Sequence, residues 1–190
     1  MTSPESIAIG HIHLRWGGTE TVPGESIAVE LAEAADCRER WESDGALHAL
    51  QAISPLSALP LEERNRLGIL AVGPGAALTG LIAEALGCSR VDLVLHPDDR
   101  AAYQAAGGRA TLHSRLEGVP DGRFFHYALQ GCGNGEPDMN DSNLLRRRLK
   151  PEGTLTLFGF PESKLMEIFQ SYSKLGFSLR GSGFQSLSMV

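Results

Sequence analysis

Apolar and polar residues alternate in two different manners along this chain, and the change falls near residue 67. Before it the pattern is irregular. "SIAIGHIHLRW" (6–16) is apolar and β-branched and predicts one strand, with Gly17-Gly18 as a turn after it. Residues 19–31 predict a second short strand or the approach to a helix. Residues 25–53, rich in Ala, Leu and Glu, predict one or two helices with a break near Ser43-Asp44-Gly45. Residues 54–66 contain Pro55 and Pro60 and read as a connector with a short helix.

From residue 67 the pattern becomes regular. "LGILAV" (67–72) is a buried strand, and Gly73-Pro74-Gly75 turns it into an apolar helix over 76–87. A strand over 90–96 precedes a helix over 97–108, which has Pro at its start and glycines at its end. Strands follow over 109–116 and 123–129, separated by a turn at 118–122. A glycine-rich loop (130–141), a helix (142–150), a turn and strand (151–160) and a helix (161–176) come next. The last residues, 177–190, read as two short strands around Gly181-Ser182-Gly183, a hairpin signal.

Strands alternating with helices define an α/β fold: a doubly wound, mostly parallel sheet with helices on both faces. The C-terminal antiparallel β-hairpin would form one edge. Residues 67–190 are then a Rossmann-like domain, and residues 1–66 an N-terminal α+β extension or cap.

Composition narrows the function. The 190 residues carry a net charge of −6, which disfavours a nucleic-acid surface as the main purpose. Cys37, Cys88 and Cys132 are widely spaced and form no CxxC pair, so neither zinc nor a disulfide framework is signalled. Reduced thiols fit a cytoplasmic protein. No apolar run approaches the ~20 residues a bilayer span needs, and the first residues do not read as a secretory signal.

The order of elements from residue 67 onward resembles the class I S-adenosylmethionine-dependent methyltransferases. "LLRRRLKPEGTLTLFGF" (144–160) looks like that family's helix, Lys-Pro-Gly-Gly turn and fifth strand. "ESKLMEIFQSYSKLGFSLRGSGFQSLSMV" is similar to its last helix and closing hairpin. The resemblance implies S-adenosylmethionine as cofactor, lying across the carboxyl ends of the strands, and methyl transfer to a small-molecule or protein acceptor. It implies cofactor contacts from Gly73, Pro74, Gly75, His96, Asp98, Glu117 and Gln130.

The acidic positions depart from the family. Ala71 stands where Asp or Glu usually precedes the glycines, and Ala77 replaces the third glycine. His96 falls at the ribose acid, with Asp98 and Asp99 close behind, and Arg115 at the adenine acid, with Glu117 two residues on. A hydrogen-bonded carboxylate lost from a buried site costs roughly 1–3 kcal/mol. Two other readings therefore stand beside methyl transfer. One is a non-catalytic scaffold that binds a protein partner or a second copy of the chain, with the tail as a pairing edge. The other is an NAD(P)-binding Rossmann domain, in which Arg100 near His96 would suit a 2′-phosphate.

The remaining candidates have bland counterparts. Gly73 and Gly75 suit any tight strand-to-helix turn. Asp98 and Asp99 suit the positive end of a helix dipole, and Arg146, Arg147, Arg148 and Lys150 the negative end of another. His11 and His13 would share one face of a strand but lack a third metal ligand. Gln130 and Asn134 offer neutral hydrogen bonds in the loop facing the transferred methyl. Cys132 lacks a neighbouring base. His126, on the fourth strand of the regular region, is a proton acceptor only if it faces the crevice.

Overall fold

Val, Ile, Leu and Ala at successive strand positions bury both faces of one central sheet, and this sheet organises the molecule. The computed structural model describes residues 6–17, 26–32, 35–42, 44–183 and 186–189. A small N-terminal sheet holds β1 (Ser6–Ile9), β2 (Ile12–Trp16) and β3 (Ile27–Leu31), with β2 antiparallel to β1 and parallel to β3. Helices α1 (Ala35–Glu42), α2 (Asp44–Ile53) and α3 (Leu61–Arg64) follow. The central region then runs β4 (Gly68–Val72), α4 (Ala76–Ala85), β5 (Arg90–Val94), α5 (Pro97–Ala105), β6 (Thr111–His113), β7 (Phe125–Gly131), α6 (Met139–Arg148), β8 (Leu149–Phe158) and α7 (Leu165–Lys174). Strands β9 (Leu179–Gly183) and β10 (Ser186–Met189) close the chain.

The central sheet has the order β6-β5-β4-β7-β8-β10-β9. Strands β4 to β8 are parallel, and β10 is antiparallel to both β8 and β9. This is the predicted α/β sheet with its antiparallel hairpin. Ile69 and Ala71 of β4 join one apolar cluster with α2, α4, α5 and the N-terminal sheet, through Leu50, Ile53, Leu78, Tyr103 and Leu14. Leu70 and Val72 point the other way, into a second cluster with Leu145 of α6 and Ile168 and Tyr172 of α7. The N-terminal sheet and α2 thus pack on the same side of the central sheet as α4 and α5. No helix among the described residues is long and apolar enough to cross a membrane.

Several local expectations differ from the structure. Residues 6–16 form a hairpin rather than one strand: Ile9 pairs with Ile12, and Gly10, at φ +58°, makes the reversal with His11. His11 therefore sits in a turn and does not share a strand face with His13. Gly18, residues 19–25 and Ser43, where a turn, the approach to β3 and a helix break were expected, lie outside the described residues. The strand expected over 109–116 is only Thr111–His113. Gln130 and Gly131 extend β7 instead of opening the loop. Helix α6 starts at Met139 because Asp138 caps it, accepting the Asn140 and Asp141 N–H groups. Gly181-Ser182-Gly183 belongs to β9 rather than to a turn between the two last strands, and residues 184–185 lie outside the described residues.

The Lys-Pro-Glu-Gly stretch is a bulge. Phe125 pairs with Leu149 but Tyr127 with Thr154, so Lys150–Gly153 loops out opposite His126. Glu152 has φ +65° there. That conformation costs an L residue roughly 1–2 kcal/mol, and a glycine's extra chain entropy offsets part of it. Glu152→Gly is therefore expected to stabilise the fold by about 0.5–1 kcal/mol. A rise in the urea midpoint at constant m-value measures this, and an unchanged or lower midpoint refutes it.

Candidate functional site

The strand order reverses between β4 and β7, and a crevice opens there at the carboxyl ends of the strands. A cavity of about 730 Å³ fills it. Its floor is the glycine turn Gly73-Pro74-Gly75, with Val72 from β4 and Phe158 from β8. One side is built from Val94, Leu95, His96 and Asp99 at the β5–α5 junction and Ser114 after β6. The other side holds Gly133, Asn134 and Gly159. Arg40, Trp41, Gly45 and His48 roof it from α1 and α2.

The turn is shaped by direct backbone contact. Gly73 and Gly75 have φ of +83° and +86°, a region open mainly to glycine. A Cβ on Gly73 would overlap the Gly131 carbonyl oxygen, and one on Gly131 would land on the Pro74 carbonyl oxygen. A Cβ on Gly75 would come 2.9 Å from the Phe158 ring. Gly75 is the N-cap of α4 and supplies no side-chain cap; the Ala76 N–H bonds the Gly73 carbonyl oxygen at 3.1 Å, and Ala77 and Leu78 of the first turn border the cavity.

Asp99 is the carboxylate in the wall. Its Oδ1 accepts from Arg40 Nη2 at 2.7 Å and from Trp41 Nε1 at 3.1 Å, which ties α1 to α5 across the mouth. The Cys37 thiol points to the Asp98 carbonyl oxygen at 3.7 Å in the same seam. Among the residues expected from sequence, Gly73, Pro74, Gly75 and His96 line the cavity. The His96 ring caps α5, with Nδ1 taking the Asp98 N–H at 3.4 Å and lying 3.2 Å from Asp98 Oδ2. Asp98 itself is exposed and is not among the residues lining the cavity.

Glu117 and Gln130 lie elsewhere. Glu117 sits in a short 3-10 turn near the start of α6; burial first, then the charges of Asp138 and Glu117, raise the pKa of Asp141. Gln130 is buried: its amide donates to the Asp138 carbonyl at 2.9 Å and its oxygen accepts from Ser142 Oγ at 2.6 Å. Ser142 also bonds the Tyr172 hydroxyl, which burial raises to a pKa of about 12. Ala71 is fully buried in the core. Burial pushes the Cys132 thiol up to about 12, so it is not a thiolate near neutral pH. His126 lies near the opposite end of β7, where Nδ1 accepts the Gly68 N–H at 3.0 Å.

Arg40, Trp41 and His48 escaped the sequence reading. Trp41 and Asp99 are 58 residues apart, so no local spacing links them. His48 left one trace, as an imidazole in the otherwise apolar helical stretch with Ala49, Leu50 and Ile53.

No family model matches the chain, and no curated protein matches it in sequence. Solved structures do match. Ribosomal protein L11 methylase from Lactobacillus delbrueckii subsp. bulgaricus is similar at TM-score 0.73 and 14% identity, over 98% of this chain and 98% of that one. A S-adenosylmethionine-dependent methyltransferase from Mesorhizobium loti is similar at TM-score 0.54 and 15% identity, over 76% of this chain and 98% of that one. The glycopeptide N-methyltransferase MtfA, complexed with S-adenosylmethionine, is similar at TM-score 0.53 and 13% identity, over 75% of this chain and 92% of that one. The chain therefore has the class I S-adenosylmethionine-dependent methyltransferase fold. The first match extends through the N-terminal sheet and helices as well.

Proposed function

We propose that the cavity at the strand ends binds S-adenosylmethionine and that the chain transfers its methyl group to a small-molecule or protein acceptor. The observation that carries this reading is the cavity itself: a nucleoside-sized space between the glycine turn and Asp99, under an aromatic roof. The residues present fit the group. The uncapped N–H groups of α4 suit a carboxylate. Asp99, held by Arg40 and Trp41, suits ribose hydroxyls, and Val94, Leu95 and Leu78 suit an adenine face.

S-adenosylmethionine, when bound, supplies an electrophilic methyl group on a sulfonium. The protein's part is positioning and exclusion of water, through the turn below and Trp41 above. His48, beside Gly159, and His96 are the two imidazoles in the described cavity lining. One observation favours the non-catalytic reading instead: Ala71 is in the core and Gln130 is committed to Asp138 and Ser142, so Asp99 is the one carboxylate in the described wall.

Thermal melts with S-adenosylhomocysteine, S-adenosylmethionine, NAD and NADP distinguish these readings. At a hundredfold excess over Kd, S-adenosylhomocysteine should raise the midpoint by roughly 5–10 °C. Ser114→Trp, which fills the cavity from an exposed position, should keep the ligand-free midpoint and lose that shift. No shift with the first pair, or the same shift in Ser114→Trp, overturns the proposal. A shift with NADP alone selects the nicotinamide reading.

A further inference from the structure

A concentration of positive charge lies at the other end of the central sheet. An open groove of about 960 Å³ runs between α6 and the start of β8. Arg123, Arg146, Arg147 and Lys150 line it, with Glu152 as its one carboxylate. Asn140 and Asn143 add amide donors from α6. The seven residues of β7 separate this end from the cofactor cavity by about 20 Å, so the two are distinct sites.

The dipole of α6 explains why cations gather near its C-terminus, but not how they are arranged. Arg146 is committed: it donates to the Leu175 carbonyl and stacks over the Phe177 ring. Arg123 and Arg147 have no carboxylate partner among the described residues. Lys150 is in a stranger position. Its Nζ lies 3.0 Å from His126 Nε2. His126 Nδ1 already accepts the Gly68 N–H at 3.0 Å, so the proton of the neutral ring is on Nε2. Two donors therefore face each other with no acceptor between them. Burial, and then the Lys150 charge, hold the His126 pKa below its usual value, so the ring is neutral at pH 7. A shared anionic acceptor resolves this contact, and Lys150, which lines the groove, places its Nζ within 3.0 Å of His126 on β7.

We propose that this groove binds a phosphate-bearing ligand, with Lys150, Arg147 and Arg123 as charge partners and His126 Nε2–H as a directional donor. Phosphate fits because it offers several acceptor oxygens to donors converging from separate elements, and arginine and lysine are its usual partners. The phosphate could come from a small phosphorylated molecule or from a nucleic-acid backbone.

The test uses the full chain, with inorganic diphosphate and a single-stranded ribo-oligonucleotide as probes, in calorimetry against sodium chloride of matched ionic strength. Diphosphate should bind, and Lys150→Gln and Arg147→Gln should each weaken it about tenfold. Glu152→Gln should tighten it, a sign opposite to any general loss of fold. Much tighter binding of the oligonucleotide, lost in the same variants and falling steeply with salt, assigns the phosphate to a nucleic-acid backbone. Diphosphate binding without oligonucleotide binding assigns it to a small molecule. Binding of neither probe, an effect equalled by chloride, or unchanged affinity in both cation variants overturns the proposal. S-adenosylhomocysteine affinity should be the same in all these variants, which keeps this site's test separate from that of the cofactor cavity.

Discussion

Gly131→Ala is expected to destabilise the fold by about 3 kcal/mol, the upper part of the range for inserting a methyl group where no room exists. The site is unusually unforgiving. The new methyl would land on the Pro74 carbonyl oxygen, which is backbone and has no rotamer to change. The Gly73-Pro74 turn cannot simply rise, because Gly73 packs in turn against the Gly131 carbonyl and Gly75 against Phe158. The cavity floor would shift with the turn, so S-adenosylhomocysteine binding should also weaken. Gly118→Ala is the control, since a Cβ there meets nothing within 4 Å and φ is ordinary. It should stay within about 0.5 kcal/mol of the parent. Urea melts of both variants decide the matter: equal midpoints would show that the turn moves freely and that the glycine pair does not hold the floor.

How much of this was legible in the sequence follows from the range of the forces involved. The central strands declare themselves because each is buried on both faces, so β4 and β5 read as short apolar runs between glycines and helices. The glycine turn is equally local. The first hairpin was not legible, because Gly10-His11 lacks an Asn-Gly or Asp-Gly signature and Ile9 and Ile12 continue the apolar run across it. The start of α6 moved because the Asp138 cap outweighs the glycines before it. Gly73, Pro74, Gly75 and His96 line the cavity because they follow strand ends. Gln130 was expected in the loop but lies in β7, and the turn of its side chain into the Ser142–Tyr172 network depends on α6 and α7, which no spacing reveals. The roof residues come from a segment whose composition predicts one or two helices and no chemistry.

Trp41 joins that roof to the site, and its substitution should have the other large effect. Trp41 is 6% exposed, and its indole N–H reaches Asp99 at 3.1 Å. Trp41→Ala removes a buried aromatic side chain and a hydrogen bond, for an expected loss of about 3–5 kcal/mol. It also unroofs the cavity and leaves Asp99 held by Arg40 alone, so S-adenosylhomocysteine should bind more than about tenfold more weakly. Trp41→Phe separates packing from hydrogen bonding. It keeps most of the apolar contact and should lose about 1 kcal/mol, the ordinary net worth of one hydrogen bond. The chain has two tryptophans, and Trp41 is the one in the cavity wall. Ligand binding should therefore change the fluorescence of the parent and not that of Trp41→Phe. If Trp41→Ala binds as tightly as the parent while losing stability, α1 is a structural brace and the cofactor is gripped from the strand ends alone. If Trp41→Phe binds normally with a silent signal, the indole ring closes the site by packing rather than by its bond to Asp99.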